Sequence, residues 1–215
     1  MQAIMETIFD SGYLLFAIGA GAYLLWRSGG QGLRALLGVM CVILGCGDAF
    51  HLVPRVMHFW LRGDFTAALG FGTQVTSITM TVFYLLLEYA RRISCHVRGE
   101  KAALWATWAL AAVRLLLCLM PQNRWTAPDA PLSWGIIRNI PFAVMGAMAV
   151  ALWLRSSRVD KTLRWLWLAV LLSFLFYFPV VLFADALPII GMMMLPKTCM
   201  YIWMMVMFLR LREEK

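Results

Sequence analysis

Apolar residues occur along this chain in seven long runs, separated by short charged or Pro/Gly-rich stretches. A run of about 20 apolar residues can cross the hydrocarbon core of a bilayer as an α-helix. We therefore predict an all-α integral membrane protein: one seven-transmembrane-helix bundle, forming a single domain over residues 1–215. The predicted spans lie near residues 5–26, 35–60, 65–90, 102–120, 133–154, 162–184 and 187–209.

The composition agrees with burial in lipid. Hydrophobic residues make up 62% of the chain and charged residues only 14%, whereas soluble domains carry about 25% charged residues. The seven runs use nearly the whole length, so no segment remains for a soluble catalytic or nucleic-acid-binding domain. Glu6 and Asp10, with no basic region before the first run, indicate a retained first span rather than a cleaved signal peptide.

The formal charge of +8 is distributed as a topology signal. Basic residues of short loops accumulate on the cytosolic side of membrane proteins. One side of the predicted bundle carries Arg27, Arg34, Arg91, Arg92, Arg98, Lys101, Arg155, Arg158, Lys161, Arg164, Arg210, Arg212 and Lys215; the other carries only Arg62 and Arg124. We therefore expect an external N-terminus, a cytosolic C-terminus and a multi-pass protein of the cell membrane. The lipid bilayer is the expected partner of these charges, and nucleic acid is not.

Several ionisable residues nevertheless fall inside the spans. Each costs about 2.5–3.5 kcal/mol at mid-bilayer on insertion scales, so such residues usually face the bundle interior and are candidates for function. They are Asp10, Asp48, His51, Arg55, His58, Arg114, Arg138, Asp185 and Lys197.

Span 2 contains the densest group. Asp48, His51, Arg55 and His58 follow one another at intervals of 3, 4 and 3 residues. At 3.6 residues per turn these intervals place the four side chains in one stripe along the helix. The stripe runs from mid-bilayer towards the outer surface.

Two glycines and one proline lie close to this stripe in the sequence. Gly45 and Gly47 lack side chains that would keep a neighbouring helix away. Pro54 removes one helical hydrogen bond and frees a backbone carbonyl near residue 50. We expect another span to pack closely against span 2 here.

Polar residues on spans 3, 5, 6 and 7 can face the stripe at similar depth. They are Gln74, Ser77, Thr81, Arg138, Asn139, Tyr177, Lys197, Thr198 and Tyr201. Together with Asp48, His51, Arg55 and His58 they predict a polar, mildly cationic cavity in the outer half of the bundle.

A purely structural interpretation also fits these residues. Ion pairs such as Asp48–Arg55 or Asp185–Arg138 would fix the register of the helices without binding anything. Arg114 and Asp10 lie close enough to the predicted interfaces to extend their charged groups into water, and we expect them to do so.

The first functional hypothesis is a binding site in a transporter or receptor-like sensor. Arginine in a site of low dielectric suits a carboxylate or phosphate group, and aromatic residues could hold an apolar remainder. The ligand would be small and anionic or amphipathic. His51 beside Asp48 would make binding sensitive to pH.

The second hypothesis is a retinal-type chromophore protein. Seven spans, an external N-terminus, Lys197 midway along span 7 and the aromatic-Tyr-Pro segment Phe174–Pro179 resemble the microbial rhodopsins. The resemblance implies a Schiff base on Lys197. The chain departs from that family in span 3, where Gln74, Ser77 and Thr81 stand in place of a carboxylate counter-ion, so Asp48 or Asp185 would have to serve.

The third hypothesis is an intramembrane enzyme acting on a lipid with Asp48 and His51 as an acid/base pair. His58 lies too far along the helix to share a metal with them, and a hydrolytic zinc site generally needs three protein ligands. The chain has no G-x-S-x-G, H-E-x-x-H or P-loop motif, and its five cysteines have no C-x-x-C spacing. We expect no metal, and the balance is against an enzyme.

Overall fold

The computed structural model describes residues 2–183 and 187–211 and contains seven α-helices in this part of the chain. They are α1 (Gln2–Ser28), α2 (Gly32–Trp60), α3 (Thr66–Ser94), α4 (Lys101–Leu119), α5 (Leu132–Ser156), α6 (Leu166–Phe183) and α7 (Met194–Leu209). Short 3₁₀ helices at Pro121–Asn123 and Pro188–Met193 precede α5 and α7. All seven spans, the last counted from Ile189, are long and apolar enough to cross a membrane. The predicted seven-helix membrane bundle is confirmed.

The helices form a closed ring. Each helix packs against the next one in the chain, and α7 returns to contact α1 and α2. Contacts between α3 and α5 cross the interior. This arrangement brings α2, α3, α5, α6 and α7 around one internal space, as the candidate cavity requires.

Two predicted boundaries differ from the structure. The sixth span starts at Leu166 instead of near residue 162 because the Asp160 carboxylate accepts hydrogen bonds from the backbone N–H groups of Thr162 and Leu163, which holds a turn. The seventh span begins as a 3₁₀ helix and becomes α-helical only at Met194. Asp185, and with it the predicted Asp185–Arg138 pair, lies outside the described residues.

Glycine allows the close helix contacts on both sides of α2. A Cβ atom on Gly45 would lie 3.0 Å from Ala17 Cβ of α1. A Cβ atom on Gly47 would lie 2.1 Å from Thr79 Oγ1 of α3. The predicted close approach at Gly45 and Gly47 is therefore confirmed, and it places the polar stripe of α2 next to both neighbours.

The half of the bundle that contains the α1–α2, α3–α4 and α5–α6 connections is tightly closed. Aromatic and methionine side chains fill its interior, among them Phe83, Tyr84, Met204 and Phe208. This half is the one that the charge pattern predicts to face the cytosol.

An ion-pair network around Arg91 closes the end of this half. The Arg91 side chain is 1% exposed and donates to Glu88 and Glu100 at 2.8 Å and to Ser156 Oγ at 3.1 Å. The hydrogen bond from Arg91 lowers the pKa of Glu100, which lies just outside the membrane-spanning segments. The network ties α3 to α5 and to the α3–α4 loop.

We expect the packing of α2 on α3 to fail when a methyl group is added at Gly72. A Cβ atom there would lie 2.1 Å from the Phe50 carbonyl oxygen, and backbone atoms cannot move aside as a side chain can. Gly72→Ala should lower stability by about 1–3 kcal/mol, as overpacking does, measured as a fall in melting temperature in neutral detergent. Gly19→Ala is the matched control because nothing lies within 4 Å of its added Cβ. Equal melting temperatures for the two variants would contradict this packing.

Candidate functional site

A cavity of about 560 Å³ lies between α2, α3, α5, α6 and α7, in the half of the bundle predicted to face outward. Residues 130–132, just before and at the start of α5, contribute to its rim. Its lining includes nine of the predicted site residues: Asp48, His51, Arg55, Ser77, Arg138, Asn139, Tyr177, Lys197 and Thr198. The structure thus brings residues from five helices to one space.

Four predicted site residues do not line the cavity. Thr81 is buried on α3, and its hydroxyl donates to the Ser77 carbonyl at 2.8 Å. His58 is exposed, and its ring packs edge-on against Phe65 at a centroid distance of 6.1 Å. Gln74 is half-buried on α3 outside the lining. Tyr201 is buried deeper in the bundle, with its hydroxyl oxygen 3.4 Å from that of Tyr84.

Asp48 and Arg55 do not pair with each other, contrary to the register-fixing pair suggested by the sequence. Tyr13 of α1 donates a 2.6 Å hydrogen bond to Asp48 Oδ2. Arg55 donates to Glu6 Oε2 through Nη2 at 2.7 Å and through Nε at 3.1 Å. The reason is that α1 packs along α2 and offers each group a partner of its own. Residues of α1 therefore stabilise the stripe, which the spacing on α2 alone could not indicate.

His51 is held by α3. Its Nδ1 atom lies 3.3 Å from the Leu69 carbonyl oxygen and 3.1 Å from Thr73 Oγ1. Because a carbonyl oxygen only accepts, an N–H at Nδ1 suits this position and leaves Nε2 free to act towards the cavity. His51 and Asp48 thus have different hydrogen-bond partners, and the geometry gives no support to a joint acid/base pair.

The α5 and α6 walls are fixed by hydrogen bonds. Tyr177 donates to Asn139 Oδ1 at 2.9 Å, and Asn139 Nδ2 donates to the Gly135 carbonyl at 2.8 Å. The Arg138 guanidinium donates to Asn123 Oδ1 at 3.0 Å and lies over the Trp125 ring at 4.1 Å. These contacts orient both side chains before any ligand arrives.

Lys197 is held in the cavity mainly by aromatic rings. Its Nζ atom lies 4.7 Å from the centroid of the Tyr177 ring and 5.7 Å from that of Tyr201. In the described part of the chain Lys197 has no ion-pair partner, and Asp48 is the carboxylate whose field reaches it. The ammonium group is therefore available for a further anion.

Arg114 contradicts the expectation that its charged group extends into water. The residue is 2% exposed, and its Cζ atom lies 3.3 Å from the centre of the Phe142 ring. Its Nε and Nη1 atoms are buried without a hydrogen-bond partner among residues 2–183 and 187–211, although Cys118 lies beside the group. Leaving buried donors unpaired is costly, more so for a charged group.

The positions of several other side chains were also not predicted from the sequence. Asp10, expected in water like Arg114, is buried, as is Glu6. Thr73 and Thr76 join the cavity lining. For Arg114 a signal existed: it follows Thr107 and Ala111 at helical spacing, and all three are buried. Apolar residues on every side of α4 obscured that face.

The described lining of the cavity carries more positive than negative side chains. Arg55, Arg114, Arg138 and Lys197 line it, and Asp48 is the only carboxylate among the lining residues that the structure describes. Glu6 offsets Arg55 from outside the lining. No group of three or more His, Cys, Asp or Glu side chains that could hold a metal ion occurs in the described segments. The chemistry offered is that of an anion site.

Comparison with known proteins gives no match: no family model fits the chain, and no curated protein or solved structure is significantly similar to it.

Two buried arginines should respond in opposite ways to replacement by methionine. Arg91→Met breaks a fully paired guanidinium and leaves carboxylates behind, so it should cost about 3–5 kcal/mol. Arg114→Met removes a buried charge whose Nε and Nη1 donors lack partners in the described part of the chain, so the ligand-free protein should keep or raise its melting temperature. Thermal unfolding in neutral detergent measures both. A loss at Arg114 as large as that at Arg91 would show that Arg114 serves stability.

Proposed function

We propose that the cavity binds a small amphipathic organic anion, with a carboxylate, phosphate or sulfonate head and a short apolar tail. The protein would act as a transporter or receptor-like sensor in the cell membrane. The observation that carries this proposal is Arg114, a buried guanidinium with two donors unpaired within residues 2–183 and 187–211, in a cavity whose described lining has four cationic side chains and one carboxylate.

The excess of positive charge favours an anionic head group. Cations gathered in a low-dielectric space repel one another, and an entering anion relieves that repulsion. Arginine also offers paired N–H donors that match the oxygens of carboxylate, phosphate and sulfonate groups. Arg114 lines the cavity, and its Nε and Nη1 donors have no partner among the described residues.

The remaining walls favour an apolar tail. Leu52, Met80, Val180, Val181 and Met194 line the same cavity. Its volume of about 560 Å³ falls within the range of roughly 300–1,000 Å³ typical of small-molecule sites. A purely inorganic anion would leave most of this apolar surface without contact.

The shape of the bundle favours entry from the predicted outer side. The cavity reaches Pro131 at the end of the bundle that carries the α2–α3 and α4–α5 connections. The opposite half is filled by the buried core and closed by the Arg91 network. Such a one-sided cavity suits one state of a transporter or the ligand pocket of a sensor.

A second candidate is a covalent Schiff base between Lys197 and a retinal-type aldehyde. Its support is the position of Lys197 in an aromatic-lined cavity, with Asp48 as a counter-charge. Added all-trans-retinal would then give a visible absorbance band, and borohydride would trap the adduct in wild type but not in Lys197→Arg. No band in wild type would eliminate this candidate.

Binding of an anion can be tested with octyl compounds that share one tail and differ in charge. Octanesulfonate and octanoate at saturation should raise the melting temperature of the purified full-length protein by several degrees, because about 2.7 kcal/mol is gained at one hundred times the Kd. Octanol and octylammonium should have little effect. Arg114→Gln and Lys197→Gln should lose most of the gain, since each removes one charge from the site.

Lys161→Gln is the matched control, because Lys161 carries the same charge in the α5–α6 loop outside this cavity. It should keep the full response to octanesulfonate. The proposal fails if octanol stabilises wild type as much as octanesulfonate does, or if Arg114→Gln and Lys197→Gln respond like wild type.

A further inference from the structure

We propose that Asp48 is a proton-binding site coupled to the anion site, so that the cavity takes up one proton with each organic anion. This inference rests on the proposed function and adds a second bound species to it. It would make the transported or sensed species an acid, bound as anion and proton together.

The head group of the anion is expected to lie between Arg114 and Lys197. Arg114 lies on the Phe142 ring and Lys197 on the Tyr177 ring, and these two rings meet edge-on at a centroid distance of 6.0 Å. The two cations therefore stand on adjoining walls, close enough to repel each other. An anion between them would contact both and remove that repulsion.

An anion bound there favours protonation of Asp48. In the ligand-free protein Lys197 and Asp48 attract each other across the cavity. An anion bound at Lys197 would neutralise the ammonium charge and place a negative charge near Asp48. Two anions sharing one low-dielectric site favour protonation of one of them. A sulfonate or phosphate monoanion is the stronger acid, so the proton goes to Asp48.

The surroundings of Asp48 can accommodate both the ionised carboxylate and the protonated acid. Tyr13 is 2% exposed, and its hydroxyl donates to the Asp48 carboxylate at 2.6 Å. A protonated carboxyl keeps one carbonyl oxygen that accepts, so Tyr13 can go on donating to Oδ2 while Oδ1 carries the proton. The hydrogen bond between α1 and α2 thus survives protonation.

Other titratable groups also face this region from the elements around Asp48. α1 presents Tyr13 and Asp10, α2 presents His51 and Arg55, α7 presents Lys197 and Tyr201, and α3 contributes the hydroxyl side chains of Thr76 and Ser77. Among them there are two alternative proton acceptors: His51, whose Nε2 atom is not engaged by the Leu69 and Thr73 contacts, and the buried carboxylate of Asp10. The experiment must separate Asp48 from both.

Octanesulfonate is the appropriate probe because its own charge does not change with pH, so any proton taken up must bind to the protein. Calorimetric titration of the full-length protein in two buffers of different ionisation enthalpy gives the number of protons. Wild type should take up about one proton per anion, and its Kd should rise about tenfold per pH unit above the titration of Asp48. Asp48→Asn should take up none and bind with a Kd independent of pH.

Three further variants complete the design. His51→Gln and Asp10→Asn should still take up the proton, whatever their affinity for the anion. Asp64→Asn, which changes an exposed carboxylate in the α2–α3 loop, should behave as wild type. Infrared difference spectra of wild type should gain a carboxylic-acid band on adding octanesulfonate, which tests the inference even if Asp48→Asn does not fold.

The outcomes separate the two proposals. Proton uptake that persists in Asp48→Asn or disappears in His51→Gln or Asp10→Asn overturns the assignment to Asp48. Octanesulfonate binding to wild type without proton uptake overturns the coupling and leaves the anion site standing. No binding to wild type at any pH overturns the proposed function itself.

Discussion

A charged side chain inside a lipid-embedded bundle needs an opposite charge or a set of hydrogen-bond partners, because water is too far away to solvate it. Arg91 and Arg55 satisfy this requirement through the carboxylates of Glu88, Glu100 and Glu6. Arg114 does not satisfy it within the described chain. Arg114 therefore has unpaired hydrogen-bond donors in the described residues, beside a cavity whose described lining holds one carboxylate. An anion from outside the protein would supply the missing partner.

The arrangement of helices makes this charge pattern possible. Close contact at Gly47 brings α3 against α2 and places Thr73 beside His51. α1 packs on the other side of α2 and supplies Tyr13 to Asp48. These neighbours supply hydrogen-bond and ion-pair partners for the side chains of the α2 stripe. The cations on α4, α5 and α7 therefore determine the net charge of the cavity. The packing of the bundle and the charge pattern of the cavity thus depend on the same helix contacts.

The sequence was sufficient for the spans and for much of the cavity. Long apolar runs marked the seven helices, and the spacing of Asp48, His51 and Arg55 placed them on one face of α2, which lines the cavity. It could not identify Glu6 or Tyr13 as partners, because a contact between helices depends on their packing and not on spacing within one of them. Arg114 was assigned to the surface because its position near the end of α4 suggested access to water, while its bundle-facing side became visible only in the fold.

The central claim is that an organic anion binds between Arg114 and Lys197. A crystal structure with an ω-bromoalkyl sulfonate, measured at the bromine absorption edge, tests it most directly. The account predicts an anomalous peak within the cavity among Leu52, Val180 and Val181, with the sulfonate density contacting the Arg114 guanidinium and Lys197 Nζ. Bromine peaks confined to the lipid-facing surface, with the cavity empty of the probe at saturating concentration, would contradict it.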